Sequence, residues 1–268
     1  MEVLTIAPLT VPSNSVPSSW KVHAYGEVSS TNDVVKRALR EGEAEGFCAT
    51  ALYQEGGYGR QGRRWVSPVG GLYTSFALKP TRTNLPSLSL VVSLAVRDAL
   101  IETASLSDVV VKWPNDVLRG TNKMCGISLE AVAGGVCIGV GINVFPPCDA
   151  VQVGGKYQAA YLSSDRIGES DLTMAQRAYM TEVLGSLLRC MEIRYQGWQA
   201  FGFEVYHEEY NALLAYKGHR ATLETIDGAT LLSGVIHSVD SEGRLLIQTQ
   251  EGRMVPAVSG EVHIATLD

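Results

Sequence analysis

The sequence predicts an α/β (α+β) protein, in which a mixed sheet flanked by helices is followed by a small β-barrel. Three observations predict it. The middle of the chain alternates apolar strand-like segments with helical ones. After about residue 217 there are only short alternating segments joined by Asp-Gly, Glu-Gly and Ser-Gly turns, which predict five strands. Finally, 46% hydrophobic residues in a chain of 268 can supply a sizeable core.

The first part of the chain is predicted to run strand, helix, strand and loop. WKVHAY (20–25) alternates like a strand and leads to SSTN (29–32), an N-cap cluster for the helical spacing of DVVKRALREG (33–42). GFCATALYQ (46–54) predicts a buried strand. It enters the loop GGYGRQGRRWVSPVGG (56–71), which contains six glycines and three arginines.

Strands and helices continue to alternate up to residue 193. LYTSFAL (72–78) and DVVVKW (108–113) predict strands on either side of an apolar helix, SLSLVVSLAVRDALIE (87–102). Two adjacent strands are predicted around Gly134-Gly135. A core helix is predicted from about Thr173 to Ile193.

Composition restricts the class of partner and the location. The formal net charge of -6 argues against indiscriminate nucleic-acid binding, so the arginines of the loop are a local feature of an acidic protein. The first 20 residues have no signal or transit-peptide pattern, and no stretch reaches transmembrane length. The cysteines are odd in number and lack disulfide or zinc spacing, so we expect reduced thiols, a cytoplasmic location and no membrane partner. They are Cys48, Cys125, Cys137, Cys148 and Cys190.

The glycine-rich loop is a candidate anion-binding site. It contains G-x-G-x-x-G, but Ser67-Pro68 follows where a dinucleotide-binding helix should open, and no acidic residue stands about 20 positions on. A Walker A loop would need Lys and Ser or Thr where the chain has Arg63-Arg64. What remains is a set of backbone N–H groups and three guanidinium groups that could wrap an anion. The alternative is an ordinary surface loop.

A second segment, VKWPNDVLRGTNKMCGISLE from Val111, places polar side chains at the end of an apolar strand. Strand ends are the usual ligand sites of sheets flanked by helices. Cations paired with a carboxylate suit a metal-bound triphosphate, although a Pro-Asn-Asp turn with solvated lysines is the simpler alternative. The side chains concerned are Lys112, Asn115, Asp116 and Lys123.

Together these segments resemble the catalytic core of a biotin protein ligase. SSTN, YQEGGYGRQGRRWVSPVGGLY, KWPNDV with a lysine seven residues after the aspartate, and GVGIN match the family's motifs in identity, order and spacing over about residues 25–145. SGEVHI resembles the family's C-terminal SH3-like domain. The resemblance implies an N-terminal extension at 1–19, a class II synthetase-like catalytic domain at 20–215 and an SH3-like domain at 216–268. Nothing like the helix-turn-helix of the bacterial ligase-repressors precedes residue 20.

The resemblance also implies a reaction. In this family the carboxylate of biotin attacks the α-phosphate of ATP to give biotinyl-5'-AMP and pyrophosphate, and a lysine of an acceptor protein then displaces AMP. We therefore expect biotin and ATP as substrates, Mg²⁺ as cofactor, and a biotin carboxyl carrier domain of acetyl-CoA carboxylase or a related carboxylase as partner, without DNA. Positive charge must gather where the two anions meet, which accounts for the basic loop.

Individual roles follow from the same resemblance. Lys123, Lys112 and Arg60 are the implied catalytic residues, and Lys123 bridges the carboxyl oxygen of biotin and the phosphate. The implied biotin-binding residues are Ser30, Thr31, Gln54, Gly57, Tyr58, Arg60, Lys123 and Gly126. The implied ATP-binding residues are Arg60, Arg63, Trp65, Asn115, Asp116, Lys123 and Asn143, with Trp65 packing on the adenine.

One loop position departs from the family's pattern. The family usually has G-R-G-R where this chain has Gly57-Tyr58-Gly59-Arg60, so a tyrosine replaces an arginine. If the position serves biotin through its backbone, the replacement costs little; if its charge matters, anion attraction is weaker. We favour the first alternative.

Simpler interpretations are available for several residues. Ser30 and Thr31 could be helix caps only, Trp113 is expected in the core, and Cys125 is expected to pack. The five histidines are scattered and are assigned no chemistry. Two other functions stay open. One is a lipoate protein ligase, which shares the fold and the acyl-adenylate chemistry, and the other is a biotin-binding protein without catalysis.

Overall fold

A computed structural model of the chain describes residues 6–147, 158–167, 172–225 and 228–264. These residues form a seven-stranded mixed sheet, a five-stranded antiparallel sheet and four α-helices. The predicted α/β fold class is therefore confirmed. Within the described ranges, no helix is both long enough and apolar enough to cross a bilayer.

The larger sheet has the strand order β1-β2-β3-β7-β6-β5-β4. Its first two strands are parallel, and every other neighbouring pair is antiparallel. Its strands are β1 (Lys21–Val28), β2 (Phe47–Gln54), β3 (Gly71–Leu78), β4 (Val109–Lys112), β5 (Asp116–Arg119), β6 (Asn122–Val132) and β7 (Gly135–Asn143). The helices are α1 (Thr31–Arg40), α2 (Leu85–Ala104), α3 (Met174–Phe201) and α4 (His207–Ala212).

The two faces of this sheet carry different helices. Phe76 and Ile138 belong to the large core that includes α2 and α3, whereas the adjacent Ala77 and Cys137 pack in a smaller core with α1. Such a switch between neighbouring residues follows from the two-residue period of a strand. With ten residues, α1 is only about 15 Å long. It therefore leaves part of its face of the sheet uncovered.

Several elements differ from the sequence-based expectation. The four-residue strand β5 was not predicted, because it follows directly on a Pro-Asn turn signal and is too short to show a period. Likewise α3 continues past Ile193 to Phe201, since Tyr195 and Trp198 extend its buried face by one more helical interval. Ser30 is the N-cap residue of α1, as expected, but its side chain makes no capping hydrogen bond.

The C-terminal sheet contains the five strands predicted from the turn spacing, in the order β11-β10-β9-β8-β12. It is fastened to the larger unit by polar contacts. The indole N–H of Trp113 donates to the carbonyl of Gly243 at 3.0 Å, and the side-chain amide of Asn211 exchanges two hydrogen bonds with the backbone of Val239. The predicted domain boundary at 215/216 stays a prediction. The strands are β8 (Arg220–Glu224), β9 (Thr230–Val239), β10 (Leu245–Gln248), β11 (Met254–Ala257) and β12 (Glu261–Ile264).

The described part of the predicted N-terminal extension, residues 6–19, forms neither helix nor strand. Leu9 is buried in the large core, and Arg177 of α3 donates to the carbonyl of Ala7 at 2.9 Å. This segment therefore packs on the body of the protein. Four of the five cysteines, at positions 48, 125, 137 and 190, are free thiols, and Cys148 lies outside the described residues.

Candidate active site

A pocket with a cavity volume of about 470 Å³ lies on the uncovered part of the α1 face. Its floor is formed by β3, β6 and β7, and its walls by the first turn of α1, the glycine-rich loop, the turn after β4, and β12 of the C-terminal sheet. The structure thus brings together the two segments singled out in the sequence. The predicted site residues that line the pocket are Thr31, Gln54, Tyr58, Arg60, Arg63, Trp65, Lys112, Asn115, Asp116, Lys123 and Gly126.

The floor of the pocket is bare backbone at three glycines. A Cβ at Gly139 would collide with the side chains of Asn32 and Ser128, and one at Gly126 would come within 2.9 Å of the ring of Trp65. At Gly141 a Cβ would lie 2.8 Å from the Trp65 indole nitrogen. Real Cβ atoms do not approach other groups this closely, so the packing of Trp65, Asn32 and Ser128 against β6 and β7 requires glycine at these three positions.

One end of the pocket carries a hydrogen-bonded polar row. The N–H and the hydroxyl of Thr31 both donate to Oε1 of Gln54, at 2.8 and 3.1 Å. The other end of that amide, Nε2, donates to the hydroxyl of Ser67 at 2.9 Å. These bonds fix which end of the Gln54 amide carries its donors, because its oxygen is held by two N–H or O–H groups.

A second set of polar side chains, connected through Thr31, lies next to this row. The hydroxyl of Ser75 is 2.7 Å from that of Thr31 and 2.8 Å from Oδ1 of Asn32. Asn32 in turn donates from Nδ2 to the hydroxyl of Ser128 at 3.2 Å. All four side chains are buried. A connected and buried network of this kind holds its members in one geometry.

The other end of the pocket is dominated by positive charge. Nζ of Lys123 is 2.7 Å from Oδ1 of Asp116, and Nη1 of Arg60 donates to Oδ1 of Asn115 at 3.1 Å. Five cationic side chains line the pocket against two carboxylates, so the site carries an excess of positive charge suited to an anion. The cations are Arg60, Arg63, Arg64, Lys112 and Lys123, and the carboxylates are Asp116 and Glu261.

Burial makes two of these cations less stable in the charged form. It lowers the pKa of Lys112 below its ordinary value of 10.5, with a smaller contribution from Arg63 and an opposing one from Asp116. Burial also lowers the pKa of Arg60, although Asp116 opposes it. A bound anion would offset the cost of keeping these buried groups charged. Buried cations whose charge is not fully compensated are typical of a binding site rather than of a structural ion pair.

Trp65 lies over the glycine floor. Nζ of Lys123 is 4.9 Å from the centroid of its ring, within the range of a cation–π contact. Its indole N–H is buried and has no hydrogen-bond acceptor among the residues that the structure describes. The predicted packing of Trp65 on adenine stays a prediction.

Comparison with known proteins places these features in a family. Residues 25–144 match the model of the biotin/lipoate A/B protein ligase family. The bifunctional ligase/repressor BirA of Bacillus spizizenii is 30% identical over 233 residues, which cover 84% of this chain and 68% of the relative. The biotin–[acetyl-CoA-carboxylase] ligase of Paracoccus denitrificans is 29% identical over 219 residues, covering 76% of this chain and 85% of the relative. The chain belongs to the biotin protein ligase family.

Solved structures of biotin protein ligases agree with this assignment. The ligase from Aquifex aeolicus in complex with biotin and ATP superposes with a TM-score of 0.75 and 28% identity, covering 93% of this chain and 99% of that one. The agreement extends over both sheets, since 93% of the chain includes strands beyond the 25–144 segment.

Three residues that the family resemblance implied do not line the pocket of this biotin protein ligase. Ser30 is buried directly before α1. A Cβ at Gly57 would lie 2.6 Å from the carbonyl of Trp65, so this glycine lets the two sides of the loop approach closely. The amide of Asn143 donates to the carbonyl of Lys123 at 2.9 Å, which fixes the backbone of that lysine. These three residues therefore contribute to the backbone structure around the pocket and not to its lining.

Sequence reasoning missed several residues that line the pocket, and two of them carry ionisable side chains on the C-terminal sheet. Glu261 and His263 project from β12, where Glu261 forms an ion pair with Arg63 and His263 lies 3.2 Å from Glu224. Both residues belong to SGEVHI, which resembles the family's C-terminal domain, but the resemblance implied no site residue in this segment. Scattered histidines were assigned no role because spacing along the chain does not show that β12 reaches the pocket.

The simpler interpretations of two residues are confirmed. Trp113 is 3% exposed and belongs to the large core, although it also lines the pocket. Cys125 is fully buried, and burial raises the pKa of its thiol. A buried thiol with a raised pKa is a packing residue rather than a nucleophile.

Proposed function

We propose that this chain attaches biotin to a lysine of a biotin carboxyl carrier domain in an ATP-dependent reaction through biotinyl-5'-AMP. The observation that carries the proposal is a single pocket with a polar row at one end and an excess of cations at the other, in a chain of the biotin protein ligase family. Biotin has the matching shape, with a ureido ring at one end and a carboxylate at the other.

The polar row suits the ureido ring. Thr31 and Gln54 offer both donors and acceptors in a fixed arrangement, and a ureido group needs acceptors for two N–H groups and donors for one carbonyl. The fused ring and the aliphatic chain would then lie in the pocket between this row and the cationic end. A lipoyl dithiolane has neither N–H donors nor a carbonyl acceptor, so it could not use the hydrogen-bonding capacity that remains in this row, which favours biotin.

The cationic end suits the first reaction step. A carboxylate oxygen of biotin attacks the α-phosphorus, a new oxygen–phosphorus bond forms, and the bond to the leaving pyrophosphate breaks. In this proposal Lys123 and Arg60 reduce the repulsion between the two anions, and Lys112 stabilises charge on the phosphates. In the second step the neutral amine of the acceptor lysine attacks the acyl carbon, AMP leaves with the bonding electron pair, and the nitrogen releases one proton to solvent, so that an amide remains.

A magnesium ion fits this arrangement as a companion of ATP. Asp116 offers a carboxylate and Asn115 an amide oxygen, and Mg²⁺ commonly takes one or two carboxylates together with substrate phosphates. Within the described ranges, no group of three or more His, Cys, Asp or Glu side chains forms a ready-made metal site. When bound, the ion would neutralise charge on the triphosphate, and Asp116 would be its protein ligand.

The acceptor is proposed to be the carrier domain of acetyl-CoA carboxylase or of a related carboxylase. The support is the name of the Paracoccus denitrificans relative, a biotin–[acetyl-CoA-carboxylase] ligase.

Pyrophosphate exchange tests the function directly. Labelled pyrophosphate should exchange into ATP when biotin is present and not when lipoate replaces it, since only an acid that fits the pocket forms an adenylate. Adding a carrier domain should then give a streptavidin-reactive product, and a carrier whose acceptor lysine is replaced by alanine should give none. Exchange supported by lipoate would favour a lipoate ligase, and tight biotin binding without exchange would favour a non-catalytic binder.

The buried Lys112 predicts a pH dependence with two opposite signs. Because its pKa is lowered, Lys112 loses its proton at a pH below its ordinary pKa of 10.5. The neutral amine attracts phosphate less, so we expect the KM for ATP to rise over the pH range in which this proton is lost. The unfolded chain binds the proton more tightly than the folded one, so the empty protein should become more stable over the same window. Lys112→Met should remove both trends, and unchanged trends in that variant would exclude Lys112 as their source.

A further inference from the structure

Tyr58 stands where the family's pattern has an arginine, and its side chain leaves the pocket wall to contact α1. Its hydroxyl donates to Oδ1 of Asp33 at 2.7 Å. Nζ of Lys36, one turn further along the helix, lies 4.9 Å from the centroid of its ring, a cation–π distance. The loop is therefore tied to the same helix whose first residue, Thr31, lines the polar end of the pocket.

Lys36 is itself held in place. Its ammonium lies 3.1 Å from Glu130 on β6 and 3.4 Å from Asp33, and its side chain is only 14% exposed. Because Glu130 anchors Lys36 to the sheet, the platform under the Tyr58 ring is fixed by two elements, α1 and β6. We refer to these four side chains, Tyr58, Asp33, Lys36 and Glu130, as the tyrosine latch.

The backbone of the loop transmits this anchor to its tip. The N–H of Trp65 donates to the carbonyl of Gly57 at 2.8 Å, and the N–H of Gly59 donates to that of Arg63 at 2.8 Å. Tyr58 lies between these two bonds and pairs with Arg64 across the loop. Fixing one side chain in the middle of a narrow hairpin therefore fixes the whole hairpin, including Arg60 at its tip.

We infer that the tyrosine latch positions the loop over the pocket before a ligand arrives, and that Tyr58 is a positioning residue for biotin. This inference rests on the proposed function for its ligand. When the loop is already closed, less of the free energy of biotin binding is lost to ordering the loop. The arginine of the family's pattern would contribute positive charge at this position. Tyr58 contributes instead by holding the loop in place.

The first test needs no ligand. Tyr58→Phe keeps the ring over Lys36 and removes only the hydroxyl, so trypsin should cut the empty protein at Arg60, Arg63 and Arg64 about fivefold faster, the change expected from one lost hydrogen bond. Tyr53→Phe makes the same chemical change on β2 outside the pocket lining and should leave the rate at the parent value. Equal cleavage of Tyr58→Phe and the parent would overturn the latch.

A double-mutant cycle shows whether the partner is Asp33. If Tyr58 acts through this carboxylate, Asp33→Ala should speed cleavage of the parent loop but add little in the Tyr58→Phe background. Full multiplication of the two effects would mean that the residues act independently, which contradicts the inference. The melting temperature of each variant separates a local opening from general destabilisation.

The second test uses biotin. In Tyr58→Phe the dissociation rate of biotin and its KM should rise about fivefold, while kcat for pyrophosphate exchange changes much less, because the loss falls on loop closure rather than on the reacting groups. Faster cleavage with an unchanged KM would overturn the positioning role. If the parent protein neither binds biotin nor supports exchange, the proposed function fails, whereas the ligand-free cleavage still judges the latch by itself.

Discussion

Replacing Lys123 with alanine is expected to slow biotin-dependent pyrophosphate exchange by about 10²- to 10³-fold, the usual effect of removing one group that stabilises developing charge. Its ammonium lies at the meeting point of the two substrate anions in the proposed reaction, 2.7 Å from Asp116 and over the ring of Trp65. Lys21→Ala is the matched control, since that lysine is 66% exposed and lies on β1 away from the pocket.

The Lys123 substitution also has a structural cost that must be separated from catalysis. It leaves Asp116 buried without its nearest cation, and breaking a buried ion pair from one side costs about 3 kcal/mol or more. Adding Asp116→Asn removes the stranded charge, so the double variant should recover most of the stability and none of the exchange activity. Exchange near the parent rate in the single variant would exclude Lys123 from the mechanism.

Replacing Arg60 with glycine is expected to release the adenylate from the pocket. Its guanidinium caps the cationic end through Asn115, and in the proposed intermediate it gains a phosphate partner. Charge-assisted hydrogen bonds contribute about 1.5 to 3 kcal/mol, so the adenylate should dissociate about 10- to 100-fold faster. Free biotinyl-5'-AMP would then acylate exposed lysines of unrelated proteins, which a streptavidin blot of added serum albumin would measure.

Gln61→Gly is the control for this second experiment. Gln61 is exposed, does not line the pocket and already adopts a positive φ of 59°, which glycine accepts without strain. It therefore adds the same flexibility beside the same turn without removing a charge. If Gln61→Gly releases as much adenylate as Arg60→Gly, flexibility rather than charge retains the intermediate. If neither releases more than the parent, the loop does not retain it.

Much of this architecture follows from local patterns in the sequence. The period of two in LYTSFAL and the turns after residue 217 predicted β3 and the C-terminal strands, because those patterns depend only on residues close together in the sequence. The sequence also singles out the glycine-rich loop and the segment from Val111, and the structure brings the two together in one pocket.

The contacts that could not be predicted are those set by the packing of distant elements. Glu261 reaches the pocket because of the way the C-terminal sheet docks through Trp113 and Gly243, and no spacing along the chain encodes that docking. The Tyr58–Asp33 contact depends on the distance between a loop and a helix 25 residues apart in sequence. Asn143 was assigned to a ligand from the motif alone, whereas its amide donates to the carbonyl of Lys123.

The glycine floor limits how this protein could be re-engineered for bulkier acids. Glycine has no side chain left to remove, so positions 126, 139 and 141 cannot yield any further depth on the sheet side. Extra volume has to come from lining residues that still carry removable atoms, such as Tyr73 of β3 or Trp65 and Val66 of the loop. Analogues whose extra atoms would point at these three glycines are consequently outside the reach of side-chain truncation, whereas those extended toward the loop are within it.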